Sequence, residues 1–204
     1  PKHIEFDIIL SHIGRFPVID GIPVIRHNHV LPDVRYDTNL EIKHNKSLSN
    51  YITRYSFISN YSRDKWHFDE NNSTVIEHGI DTDFWTNDNI IRDDVCLSVV
   101  NDWPNRDWCC GWNLWKHIVG FDYNNTTDIP VKIVGRSDGL SIPAKSTHEL
   151  KNIYNSCSVF LNTSLHSPVP TVLLEAMACG CAIVSTDTCM ICLLYTSDAA
   201  DEGL

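Results

Sequence analysis

Glu175 stands in the segment Leu161–Thr186, LNTSLHSPVPTVLLEAMACGCAIVST, where residue spacing predicts a helix over Thr171–Cys179. A carboxylate there could accept both hydroxyls of a ribose, each charge-assisted bond contributing about 1.5–3 kcal/mol. The apolar stripe Leu173, Ala176, Met177 and Gly180 leaves Glu175 on roughly the opposite side, free to face a cleft. Thr171, Val172 and Leu173 open the helix, and the first backbone N–H groups of a helix lack partners within it. They therefore suit a diphosphate. His166 and Ser167 stand in the Pro-broken loop Ser164–Pro170 that leads into this helix.

Other reactive side chains are weaker candidates. His12 sits just past an apolar run, at the carboxyl end of an expected strand. His27 and His29, in RHNH, could form a metal pair, but no third ligand is spaced near them, and they are read as loop residues. Cys179, Cys181, Cys189 and Cys192 have the look of a C-x-C and C-x-x-C cluster. Zinc is nevertheless not expected, because the last cysteine falls in a segment set aside below. Ser164, His166 and Ser167 suggest a hydrolase, yet no G-x-S-x-G elbow or paired acid accompanies them. Arg136 and Lys145 are read as solvated charges.

These residues need a scaffold. Phe6–Leu10, Ile22–Arg26, Phe57–Ser59, Val95–Val100, Val131–Val134, Val159–Leu161 and Cys181–Ser185 read as strands. Helices are predicted over Asn45–Tyr55, Ser62–Trp66 and Arg106–Phe121, the last with Trp108, Trp112, Trp115 and Val119 along one packing face. Ser146-Thr147-His148-Glu149 is a capping box, launching a helix whose Leu150, Ile153, Tyr154 and Cys157 point inward. Gly180 falls where a left-handed residue ends a helix. Strands alternating with helices predict parallel sheets. The unit Val159–Ser185 is a strand, loop, helix and strand, with a loop at a strand's carboxyl end beside a helix N-terminus. Open α/β sheets bind phosphorylated ligands at such corners.

Bulk properties narrow the function further. The 204 residues are 43% hydrophobic and carry a net charge of −10, which argues against a nucleic-acid partner. No apolar run approaches the roughly 20 residues of a membrane span. No signal peptide is visible, and eight cysteines without regular spacing read as buried thiols of a reducing compartment. A cytoplasmic place follows, with peripheral attachment at the inner membrane face compatible with it.

PTVLLEAMACGCAIVST resembles the donor-nucleotide motif of the retaining GT-B glycosyltransferases of family four, E-x7-E followed by AMA-x-G-x-P-V-V. Val75–Trp85, VIEHGIDTDFW, is similar to that family's interdomain stretch, V-I-x-N-G-I/V-D-x-x-x-F. Phe57–Trp66 and Val131–Gly135 look like its flanking strand segments, so the similarity runs in register from about Phe6 to Met190. The resemblance implies a GT-B fold of two Rossmann-like parallel-sheet domains. It divides the chain into residues 1–74, the later part of an acceptor-side domain, a linker over 75–94, and a donor-binding domain over 95–191. It also implies transfer of a sugar from a nucleoside-diphosphate-sugar to an unknown acceptor, with retention of configuration and without a metal or other cofactor. Glu175 would hold the ribose, Arg106 and the amides of Thr171, Val172 and Leu173 the diphosphate, and His166 and Ser167 the donor sugar. His12 would face the reacting centre.

Departures bear on that reading. Ser167 stands where the first Glu of E-x7-E belongs. Val99–Asp107, VVNDWPNRD, replaces the usual V-G-R-x-x-x-x-K-G, so Asn101 stands for Arg and Arg106 for Lys. These changes leave room for a non-catalytic nucleotide-sugar-binding relic, or for a GT-B sugar-nucleotide epimerase. Cys192–Leu204, CLLYTSDAADEGL, breaks the pattern and resembles translated library-adapter DNA, so it is left out of fold reasoning. The chain is expected to be truncated at both ends and inactive as written.

Overall fold

The alternating apolar runs fold into two four-stranded sheets, every strand pair parallel. In this computed structural model residues 7–12, 19–121, 124 and 126–187 are described. The chain divides into two compact units, Pro1–His78 and Gly79–Leu204. The fold is mixed α/β, as expected. Phe6, Cys189, Met190 and the whole of Cys192–Leu204 lie outside the described residues. No helix among the described residues is long and apolar enough to cross a membrane.

The first unit runs β1 (Ile9–Ser11), β2 (Val24–Asn28), α1 (Thr38–Ser47), β3 (Arg54–Phe57), α2 (Asn60–Lys65) and β4 (Ser73–Val75), with strands adjacent in chain order. The helix predicted over Asn45–Tyr55 is displaced. Asp37 caps α1 by accepting from the backbone N–H groups of Asn39 and Leu40, which starts the helix earlier than the apolar stripe suggests. Tyr55 is drawn into β3, where it pairs with Arg26 and packs on Phe68. Val24, Ile42, Ile52, Tyr55, Phe57, Trp66 and Phe68 make the core.

The second unit contains β5 (Asp93–Val99), α3 (Asp107–Cys110), α4 (Trp112–Val119), β6 (Val131–Val134), α5 (Thr147–Ser156), β7 (Cys157–Asn162), α6 (Thr171–Ala178) and β8 (Ala182–Ser185). Its sheet order is β6-β5-β7-β8, so the winding reverses between β5 and β7. Neighbouring residues of β7 feed different cores. Phe160 joins Leu97, Tyr154, Leu173 and Ala176, while Leu161 joins Trp103, Trp115 and Val119. That is the strand alternation of a sheet covered on both faces.

The single helix predicted over Arg106–Phe121 is corrected to a 3₁₀ turn at Pro104–Arg106 followed by α3 and α4, broken at Gly111 with φ +65. A Cβ on Gly111 would lie 2.0 Å from the Thr163 carbonyl oxygen, so only glycine lets this corner seat against the loop after β7. The break also rearranges the tryptophans. Trp112 and Trp115 stack at 5.2 Å with Trp103 beside them, whereas Trp108 turns to His166, 5.8 Å away.

The stretch following His78 packs largely on the second unit instead of spanning freely. Ile80, Phe84 and Trp85 join its core. Arg92 donates to the carbonyls of Tyr154 and Cys157 at 3.0 Å and of Cys179 at 2.5 Å. Asn155 clasps the same stretch, accepting from the Asp88 N–H and donating to the Thr86 carbonyl.

Candidate functional site

Strand order reverses between β5 and β7, and open α/β sheets receive ligands at the carboxyl ends of the strands beside such a reversal. Three segments converge there. The loop after β5 carries Arg106, which is exposed. The loop after β7 carries His166 and Ser167, both partly buried, and leads into α6. Hydrogen bonds join the first two: the N–H groups of Leu165 and His166 donate to the Cys109 carbonyl, at 2.8 and 3.2 Å. The Thr163 hydroxyl donates to the Cys110 carbonyl at 3.1 Å. The β7 loop is tied to β8 as well, through the Thr186 hydroxyl donating to the Ser164 carbonyl.

At the start of α6, Pro170 occupies the cap position and supplies no side-chain acceptor. The N–H of Leu173 donates to the Pro170 carbonyl at 3.0 Å, and its side chain is fully buried. Thr171 and Val172 therefore offer the amides best placed for an anion. The buried stripe of α6 is Leu173, Ala176 and Cys179, and Gly180 ends the helix at φ +81.

Glu175 is half-buried and accepts the Tyr154 hydroxyl on Oε2 at 2.9 Å. Burial pushes the Glu175 carboxyl above its usual range, and the Tyr154 hydrogen bond partly opposes this. Tyr154 is itself fully buried, and its phenol is pushed up by burial and by the carboxylate beside it. The carboxylate is thus held in one orientation by a neutral donor.

Tyr154 was visible in the sequence as an inward-facing helix residue, but nothing in the spacing linked it to Glu175. Asn101, which stands for the expected arginine, has a positioning task. Its Oδ1 accepts the Arg136 backbone N–H at 2.8 Å, joining the loops after β5 and β6. Arg136 and Lys145 have exposed side chains. Cys179 and Cys181 are buried core thiols that burial pushes up to about 11, and the Cys181 thiol donates to the Tyr154 carbonyl.

Residues 118–199 match the family model for glycosyl transferases group 1. Solved structures agree over more of the chain. HepE of Anabaena, in complex with UDP and glucose, superposes with a TM-score of 0.60 at 13% identity, over 81% of this chain and 53% of that one. TarM, known from S. aureus, gives 0.63 at 12% identity, over 82% of this chain and 37% of that one. Sucrose-phosphate synthase from Thermosynechococcus elongatus gives 0.60 at 16%, over 91% and 57%. The fold is of the GT-B class. The chain spans about half the length of HepE and of the synthase and less of TarM. No curated protein matches it.

His12 lies in the first unit. It is exposed, and its ring centroid is 5.4 Å from that of His27 and 5.8 Å from that of His29. His29 lies in the loop just past β2, as expected, whereas the expectation that His27 is a loop residue and that the pair lacks a third partner is corrected. His27 belongs to β2, and the register Ser11↔Arg26 brings His12 alongside it. His27 and His29 are both held below the usual imidazole range, by burial first and then by neighbouring imidazoles, including His12 and His78. A cavity of about 320 Å³ lined by Lys46, Thr53, His67 and Asn72 opens at the amino ends of β3 and β4, away from the carboxyl edge where sheet ligands sit.

Proposed function

We propose that this chain is part of a glycosyltransferase that moves a sugar from a nucleoside-diphosphate-sugar to an acceptor, with retention of configuration and without a metal at the donor. The observation that carries this reading is the reversal of strand order between β5 and β7. The same unit carries Arg106 on the loop after β5 and, on α6 after β7, a Glu175 that accepts the Tyr154 hydroxyl. The group 1 match over residues 118–199 supports it. So do the HepE complexes with UDP, with UDP and glucose, and with UDP-glucose.

In this reading Glu175 accepts the ribose hydroxyls, while Arg106 and the amides of Thr171 and Val172 offset charge on the departing diphosphate. Electrostatic stabilisation of this kind acts most strongly where the groups are fixed beforehand. The hydrogen bonds of the Cys109 and Cys110 carbonyls to the β7 loop provide that fixing. His166 and Ser167 border the donor sugar, and His12 would act from the first unit. The parent protein would work in the cytoplasm or against the inner membrane face, on an acceptor that is a glycan, a lipid or a small molecule.

Calorimetric titration with UDP, GDP and ADP tests the site. One of them should bind, and Glu175→Ala should weaken it about 10–150-fold, the equivalent of about 1.5–3 kcal/mol for lost charge-assisted bonds. Equal affinity in wild type and variant would overturn the assignment. Asn101 favours a second reading. Its side chain is committed to the Arg136 N–H, so the proposed donor site has one cation fewer than the family pattern. Nucleotide binding by the intact protein with neither sugar transfer nor donor hydrolysis would select a binding module. Donor conversion without an acceptor would select an epimerase.

A further inference from the structure

Three imidazoles converge at the carboxyl edge of the first sheet. Parallel pairing sets Ser11 opposite Arg26 and His27 opposite Ser56, so His12, His27 and Ser56 occupy neighbouring places across β1, β2 and β3. His29 lies just past the end of β2, two residues after His27, and its ring stacks on the His27 ring. One ring nitrogen from each of His12, His27 and His29 lies within 4.8 Å of the others. Their ring centroids are 5.4, 5.8 and 6.0 Å apart.

We propose that His12, His27 and His29 form a binding site for a divalent transition-metal ion of the zinc type, with a fourth coordination position open to solvent.

Three imidazoles bound tetrahedrally at about 2.0–2.1 Å would have nitrogens about 3.3 Å apart and centroids about 5 Å apart. The rings already stand close to the second separation, so small side-chain rotations bring the nitrogens in. Two further features fit a metal better than a chance cluster. Nδ1 of His27 is paired with the Ser56 hydroxyl at 2.8 Å, which orients the ring and leaves Nε2 for a metal. Nδ1 of His29 is buried without a hydrogen-bond partner, an arrangement that costs stability unless something is bound. Imidazole donors select zinc, copper and nickel over magnesium and calcium, which prefer oxygen. His12 is exposed, so the ion has an entry path and a free position facing water. The group is the one such cluster among the described residues. The proposal shares His12 alone with the donor-site reading, whose other residues belong to the second unit, and it is read out by metal binding and not by nucleotide binding or transfer.

The test uses the full 204-residue chain without an affinity tag. Co²⁺ is titrated while its visible ligand-field absorption is followed, and Zn²⁺ is then added as competitor. One equivalent should give the intense spectrum of four-coordinate cobalt, and zinc should displace it. His12→Ala and His29→Ala should each weaken binding more than 100-fold, and Ser56→Ala about 10–100-fold, as for the loss of an orienting partner. Circular dichroism checks that each variant folds. His12→Ala replaces an exposed side chain, so it removes a ligand without opening the core. Zinc should also raise the Tm of the wild type and not that of His12→Ala. A six-coordinate spectrum, or affinity unchanged in His12→Ala and His29→Ala, would overturn the proposal.

Discussion

Gly111→Ala is the sharpest perturbation of the proposed donor site, because one methyl group meets the backbone of the loop that carries His166. The added Cβ would lie 2.0 Å from the Thr163 carbonyl oxygen and 3.0 Å from its carbonyl carbon, at φ +65. Separations under 3.0 Å are essentially never seen for a real Cβ, so α3 and the β7 loop must part by about 1 Å. A left-handed alanine costs about 1–2 kcal/mol and forced overpacking about 1–3 kcal/mol, so the expected loss is about 2–5 kcal/mol. Gly139→Ala supplies the control. Its φ is +72, but nothing lies within 4 Å of the new Cβ, so it carries the backbone cost alone. Urea denaturation followed by tryptophan fluorescence reads both, since Trp103, Trp112 and Trp115 pack beside Gly111. Parting the two segments would also break the bonds from Leu165, His166 and Thr163 to the carbonyls of Cys109 and Cys110. Nucleotide affinity should therefore fall in the folded Gly111→Ala chain and persist in Gly139→Ala. Equal denaturation midpoints for the two variants would refute the close-approach argument.

Two further perturbations probe the same unit. Arg92→Ala removes the fork that reaches the carbonyls of Tyr154, Cys157 and Cys179, and should cost about 2–4 kcal/mol in a urea titration, given about 1.5–3 kcal/mol for a bond to a charged group and partial replacement by water. Arg92→Lys should rescue little of this, since an ammonium cannot span three acceptors, and full rescue would contradict the geometry. Glu175 predicts a pH dependence. Its folded carboxyl titrates above its unfolded value, so its contribution to stability is present at acid pH and is lost as pH rises through the folded value. Glu175→Gln should therefore denature at higher urea than wild type at pH 7.5, with the difference closing as pH falls towards 4.5, the ordinary carboxyl value. A constant difference across that range would show that the buried charge is not its source.

Much of this architecture can be read from local pattern. Val131–Val134 is a strand at its predicted bounds, and Ser146 caps α5 through the Glu149 N–H as its S-x-x-E spacing requires. In the second unit the helix start at Thr171 and the left-handed Gly180 follow from Pro and Gly at the two ends. The failures come where tertiary contact overrides pattern. A helical stripe through Trp108, Trp112, Trp115 and Val119 continues across Gly111 on paper, but the chain turns there because the Thr163 backbone occupies the space a continuous helix would need. Leu48, Tyr51, Ile52 and Tyr55 likewise keep helical spacing, yet Tyr55 gains more as a strand residue paired with Arg26 and packed on Phe68.

The two sites differ in legibility for the same reason. Glu175, Thr171 and the β7 loop lie within one short segment, so spacing alone brings them together, whereas Arg106 and Tyr154 come from elsewhere in the chain. His12 and His27 are neighbours through strand register, which no local period encodes. A slip of one residue between β1 and β2 would send His12 to the opposite face from His27 and His29 and abolish the cluster. A metal bound by all three imidazoles would therefore also fix that register. This accounts for why His12→Ala should eliminate the zinc-dependent rise in Tm as well as binding, although its side chain contributes little packing.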